Sequence, residues 1–69
     1  MPERLANCLK DRRTELGLTQ AELAERVGVT RKTVNTVENG IFTPSTILAL
    51  KLAEALDRRV EELFEIIED

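Results

Sequence analysis

Arg31, Lys32, Asn35, Thr36 and Asn39 place cationic and hydrogen-bonding side chains at helical intervals. With Val34 set at 0° on a helix turning about 100° per residue, Asn35, Asn39, Lys32 and Thr36 fall at about 100°, 140°, 160° and 200°. Val34 and Val37 share the opposite side and make a narrow buried seam. Arg31 and Thr33 flank the outward strip. That strip holds two cations and four hydrogen-bonding side chains, with no bulky apolar group. Cations of this kind donate to acceptor pairs such as guanine O6 and N7. An asparagine amide both donates and accepts, as adenine N7 and N6 require, and a threonine methyl can meet a thymine methyl. Any exposed helix can carry such residues, so the segment before the strip decides what it means.

That segment is Gln20-Ala-Glu-Leu-Ala-Glu-Arg-Val, followed by Gly28-Val29-Thr30. Leu23, Ala24 and Val27 give a short helix one apolar face, and Ala24 is small where a second helix would cross closely. Gly28 can take the left-handed conformation at a helix end at little cost. Val29 is an apolar plug, and Thr30 offers a hydroxyl to cap the next helix. The layout over residues 19–39 is that of a helix-turn-helix, whose second helix enters the major groove of double-stranded DNA. Thr19 and Glu22 have the spacing of a capping box. Thr19 and Gln20 also stand at a helix N-terminus, where free N–H groups suit a phosphate oxygen. Asn39 and Thr43 flank the other side and can contact phosphate too.

The rest of the chain reads as support for these two helices. A first helix is expected after Pro2, with Leu5, Leu9 and Leu16 as its stripe and Gly17 as its end. The third helix runs from Thr30 to about Asn39, and Gly40 stops it. Ser45 caps a fourth, Thr46 to Leu56, and a fifth spans about Val60 to Phe64. Leu63, Phe64, Ile66 and Ile67 crowd the end, as continued helix or a short strand. No other strand is expected. The predicted fold is all-α: one domain, 1–69, built as a compact bundle of five short helices.

Composition narrows the function further. With 42% hydrophobic and 33% charged residues, the chain is globular in composition. No apolar stretch approaches the roughly 20 residues that cross a membrane. The opening Met-Pro-Glu-Arg is unlike a secretory leader, so a cytoplasmic protein is expected. One cysteine and no histidine rule out an internal disulfide and an ordinary zinc site. No metal or cofactor is therefore expected, and no nucleophile–base set suggests an enzyme. Cys8 is read as a helix residue at the core edge. Net charge is −3, unusual for a nucleic-acid binder. Residues 1–53, however, carry eight Lys/Arg against six Asp/Glu, and residues 54–69 carry two against seven. The acidity lies on the part least suited to face DNA, and local field matters more than net charge.

At 69 residues the domain is small. Such a domain buries only about 60% of its unfolded surface, so a partner would help. Leu63, Phe64, Ile66 and Ile67 exceed what a short terminal helix needs and are expected to form a two-fold homodimer seam within residues 60–69. The other possibility is that this tail folds back on its own domain.

The ordered segments Leu18-Thr-Gln-Ala-Glu-Leu-Ala, Val27-Gly-Val-Thr-Arg-Lys-Thr-Val and Val37-Glu-Asn-Gly resemble the phage Cro/CI repressor-type family, also called the Xre family. The likeness extends to Arg13-Thr-Glu-Leu-Gly-Leu, to residues 43–56 and to Val60-Glu-Glu-Leu-Phe, which is nearly the whole chain. It implies a transcriptional regulator that binds operator DNA, usually as a homodimer on inverted repeats. By resemblance, Arg31, Lys32, Asn35 and Thr36 match base contacts, and Thr19, Gln20, Thr33 and Asn39 match phosphate contacts. Arg13 and Glu38 match an internal ion pair between the first and third helices. Arg12 departs from the family by standing where an apolar residue is usual; its stem should pack while its head reaches water. Arg59 replaces the usual serine cap of the fifth helix. The leading function is a repressor. The alternative is an antitoxin or partner-binding module of a toxin–antitoxin or restriction-control system.

Overall fold

The computed structural model describes residues 2–68; Met1 and Asp69, the ends of the expected domain, lie outside them. Their order is β1 (Glu3–Asn7), α1 (Leu9–Glu15), α2 (Gln20–Val27), α3 (Arg31–Glu38), α4 (Thr46–Leu56), α5 (Val60–Leu63) and β2 (Phe64–Glu68). The helices start where the sequence offers caps. Thr19 Oγ1 accepts from the Glu22 N–H at 3.0 Å while the Glu22 carboxylate accepts from the Thr19 N–H at 2.9 Å. Ser45 Oγ accepts from the Leu48 N–H at 3.1 Å and begins α4. The Arg59 side chain has no oxygen to offer, so the side-chain part of the α5 cap falls to Glu62, whose carboxylate accepts the Arg59 N–H at 2.8 Å.

One core holds the elements together. Leu9 enters it from α1, Leu23, Ala24 and Val27 from α2, and Val34 and Val37 from α3. Leu48, Leu52, Ala53 and Leu56 add the face of α4, and Leu63 and Phe64 close it from the C-terminal end. Burying one such side chain stabilises the fold by about 1.5–3 kcal/mol relative to leaving it in water.

The N-terminus corrects the sequence reading. Residues 3–7 are not the first turn of a helix but a strand, paired antiparallel with β2. Leu5 faces Ile66 and Asn7 faces Phe64 across the ladder. Glu-Arg-Leu-Ala-Asn has no strong strand preference of its own. The β-branched pair Ile66-Ile67 makes β2 extended, and β2 then offers β1 a row of backbone partners that a helix would forgo. Tertiary pairing overrides local propensity here. The Asn7 carboxamide oxygen takes the Leu9 N–H at 3.1 Å, and α1 begins only after that. Leu16, expected on the buried stripe, is exposed, because α1 stops at Glu15 and Leu18 beyond the Gly17 turn fills the core instead. Cys8 is exposed and sits outside the helix; its backbone N–H and thiol both donate to α5, to the Leu63 and Glu62 carbonyls.

The tail, expected as continued helix or a short strand, is a strand that pairs with β1 of its own domain. Leu63 and Phe64 are 2% and 9% exposed and belong to the core of their own domain. Ile66 remains 66% exposed and Ile67 is half-buried.

Candidate nucleic-acid interface

The turn between α2 and α3 sets the site. Gly28 has φ +74°, a left-handed conformation in which a β-carbon would be strained although no neighbour lies within 4 Å of it. The Val29 N–H then closes onto the Ala24 carbonyl at 3.0 Å, and Val29 is half-buried against the core. Thr30 Oγ1 accepts the Thr33 N–H at 3.2 Å and starts α3. Val34 and Val37 anchor the inner side of α3, which leaves Arg31, Lys32, Asn35 and Asn39 exposed on the outer side.

Thr36 does not share that exposure, and its expected outward placement is corrected. It is half-buried, its hydroxyl donates to the Thr33 carbonyl at 2.9 Å, and its own carbonyl receives the Ile41 and Phe42 N–H groups. The chain leaving α3 folds over that side. Thr33 is also half-buried, with its hydroxyl 3.1 Å from that of Thr30. Asn35 and Asn39 form a ladder one turn apart: Asn39 Nδ2 donates to Asn35 Oδ1 at 3.2 Å. Both amide protons of Asn35 and a second lone pair on its oxygen are left for another partner.

Thr19, Gln20 and Arg31 line one shallow groove beside the start of α2, so these proposed phosphate and base residues sit together. Thr43 lies apart, exposed in the loop before α4.

Arg13 and Glu38 hold α3 against α1. Arg13 Nε and Nη2 donate to the two Glu38 oxygens at 2.7 and 3.2 Å. The side chains are 12% and 3% exposed. Gln20 Nε2 donates to the same carboxylate at 3.0 Å, and Arg13 Nη1 donates to the Leu18 carbonyl at 2.9 Å. The hydrogen bond to Glu38 raises the Arg13 pKa above its ordinary value, against the opposing effect of burial. The Thr19 N–H and hydroxyl at the capping box lower the Glu22 pKa.

Sequence reasoning missed three of these links. Gln20, expected at a phosphate, also shares the Glu38 carboxylate. Arg12 does not send its head to water: its Nε donates to the Leu56 carbonyl at 2.8 Å and caps the C-terminus of α4. Asn7 Nδ2 donates to the Val37 and Glu38 carbonyls at 3.0 and 3.4 Å. Nothing local marked the last, since residue 7 falls inside the helix expected after Pro2.

The helix-turn-helix family model matches residues 9–63. A helix-turn-helix-type transcriptional regulator of Methanothermobacter thermautotrophicus is 53% identical over 62 residues, 88% of this chain and 90% of that protein. Among solved structures, the restriction-modification controller protein C.AhdI from Aeromonas hydrophila superposes with a TM-score of 0.73 at 42% identity, covering 78% of each chain. The P22 c2 repressor, crystallised with a synthetic operator, superposes with a TM-score of 0.75 at 28% identity, covering 77% of this chain and 80% of that one.

Proposed function

This chain belongs to the Cro/CI (Xre) family of helix-turn-helix transcriptional regulators, and from that premise we propose that it is a repressor that occupies an operator by inserting α3 into the major groove. The observation that carries this reading is the exposure of Arg31, Lys32 and Asn35 on a helix whose other side is held by Val34, Val37 and Glu38. Arg31 and Lys32 read guanine edges, and Asn35 reads adenine. Thr19, Gln20, Thr33, Asn39 and Thr43 hold the flanking phosphates, Gln20 with the amide proton that Glu38 does not take. These contacts set register, and the outer strip supplies specificity.

One copy makes few base contacts. Two copies on half-sites about 34–36 Å apart double them, and a homodimer on an inverted repeat is the assembly we propose. With Leu63 and Phe64 in the core, the seam falls to Ile66 and Ile67. Exposed Leu50 of α4 continues it, since Leu5, Pro44 and Phe64 line both the groove beside Ile66 and the groove beside Leu50. The antitoxin HipB of Escherichia coli is a more distant relative, of which this chain spans 60%. A second reading as a partner-binding module therefore has less support.

Selection of bound sequences from random duplexes tests the proposal. The expected result is a two-fold symmetric site with half-sites one helical turn apart. Recovery of no consensus at low ionic strength would sink it.

A further inference from the structure

Asn7 links the terminal sheet to the backbone of α3. Its carboxamide is used from both ends. Oδ1 takes the Leu9 N–H at 3.1 Å and starts α1, while Nδ2 reaches 3.0 Å to the Val37 carbonyl and 3.4 Å to the Glu38 carbonyl. Those two carbonyls belong to the last turn of α3, where a helix runs short of internal donors. The Val37 carbonyl is also closed by the Gly40 N–H. On the other side, the Asn7 backbone is locked opposite Phe64, itself part of the core.

Resting on the reading of α3 as the groove-entering helix, we propose that Asn7 is a positioning residue for DNA recognition: it clamps the C-terminal end of α3 to the β1–β2 sheet and so sets the angle at which that end meets the bases. The side chain suits the task. It must accept at one atom and donate at another within one rigid plane, which a carboxylate cannot do. The remaining anchors hold other parts of α3. Val34 pins its middle, Val37 packs the inner side of the last turn through its side chain, and Arg13 and Gln20 pin the Glu38 side chain rather than the backbone. Losing Asn7 therefore frees the last turn, which carries Asn35 and Asn39, more than the first turn, which carries Arg31.

Asn7→Ser isolates the clamp. A serine hydroxyl still reaches the Leu9 N–H two residues on but is too short for Val37. Base preference is measured by selection from random duplexes for wild type, Asn7→Ser, Arg31→Ala and Asn35→Ala. In Asn7→Ser, discrimination should fall roughly five-fold at the base positions that Asn35→Ala affects, with those that Arg31→Ala affects unchanged. In the DNA-free protein, the amides of residues 39–42 should exchange faster, and those of α2 and α4 at the wild-type rate. Asn7→Ala loses the Leu9 cap as well; it should melt lower yet show the same pattern of bases. An equal loss at every position, or no change at residues 39–42, overturns the proposal. A wild-type chain without base preference removes the premise instead, and that failure is visible before any substitution is made.

Discussion

Arg13 Nε and Glu38 Oε2 meet at 2.7 Å in a site where the Glu38 side chain is 3% exposed. Three donors, two from Arg13 and one from Gln20, converge on that carboxylate. One buried anion thus ties together α1, α3 and the first residue of α2. Exchanging a buried pair of this kind for an apolar contact of the same volume is often neutral or stabilising, so what the bond visibly does is tie α3 to α1.

Glu38→Ala leaves the Arg13 guanidinium buried without its partner. The expected cost is about 3–5 kcal/mol. For a domain of this size that lowers Tm by more than about 10 °C. Thermal unfolding by circular dichroism checks it, and a change of only a degree or two would show that water replaces the carboxylate. Because the hydrogen bond to Glu38 raises the Arg13 pKa above its ordinary value, the cationic contribution is complete below the ordinary arginine range and is lost only as pH rises beyond it. It is constant across neutral pH.

Arg31→Ala and Lys32→Ala should each weaken binding to the selected duplex by about 1–3 kcal/mol and relax preference at particular bases. Both side chains are exposed, so melting should be unchanged. Titrations at several salt concentrations separate the two kinds of contact. Affinity should fall steeply with salt for every variant that keeps its phosphate contacts. Wild-type affinity in Lys32→Ala would remove that residue from the reading strip.

Ile66→Glu tests the proposed dimer. Sedimentation of the wild type at tens of micromolar should give twice the chain mass, and the variant should give one copy with an unchanged fold. The logic is that Ile66 is exposed and outside the core, so a charge there costs the assembly and not the domain. A wild-type monomer at that concentration would overturn the two-fold reading.

Glu22 gives α2 an acid-sensitive start. Hydrogen bonds from Thr19 lower its pKa below the ordinary 4.5. The ionised carboxylate therefore adds stability that is present above that value and is lost as pH falls through the lower, folded-state pKa. Glu22→Gln should melt below wild type at neutral pH, with the difference closing on the acid side. A pH-independent difference would assign the effect to something other than the charge.

The helix-turn-helix was readable because its signals are local. Thr19 with Glu22, Gly28 with its turn, and Val34 with Val37 all act within four residues, the range over which side chains on a helix meet. The outward placement of Lys32, Asn35 and Asn39, with Arg31 at the flank, followed from the helical repeat alone. Thr36 did not, because what covers it is the chain leaving α3 rather than anything on α3 itself.

Residues 3–7 and 64–68 were beyond that range. In sequence, Leu5 and Leu9 have helical spacing and residues 63–67 suit a helix or a strand equally. The ends lie some sixty positions apart, and only when the core of Leu9, Leu56, Leu63 and Phe64 brings them together can they hydrogen-bond to each other. A cationic helix after a tight turn is legible without coordinates, since turn and strip are written in neighbouring residues. Only the tertiary structure decided that the ends form a sheet, that Leu63 and Phe64 serve the core, and that Asn7 holds the end of α3. Those outcomes depend on which distant backbone donors and acceptors meet when apolar surface is buried, and no local spacing records that.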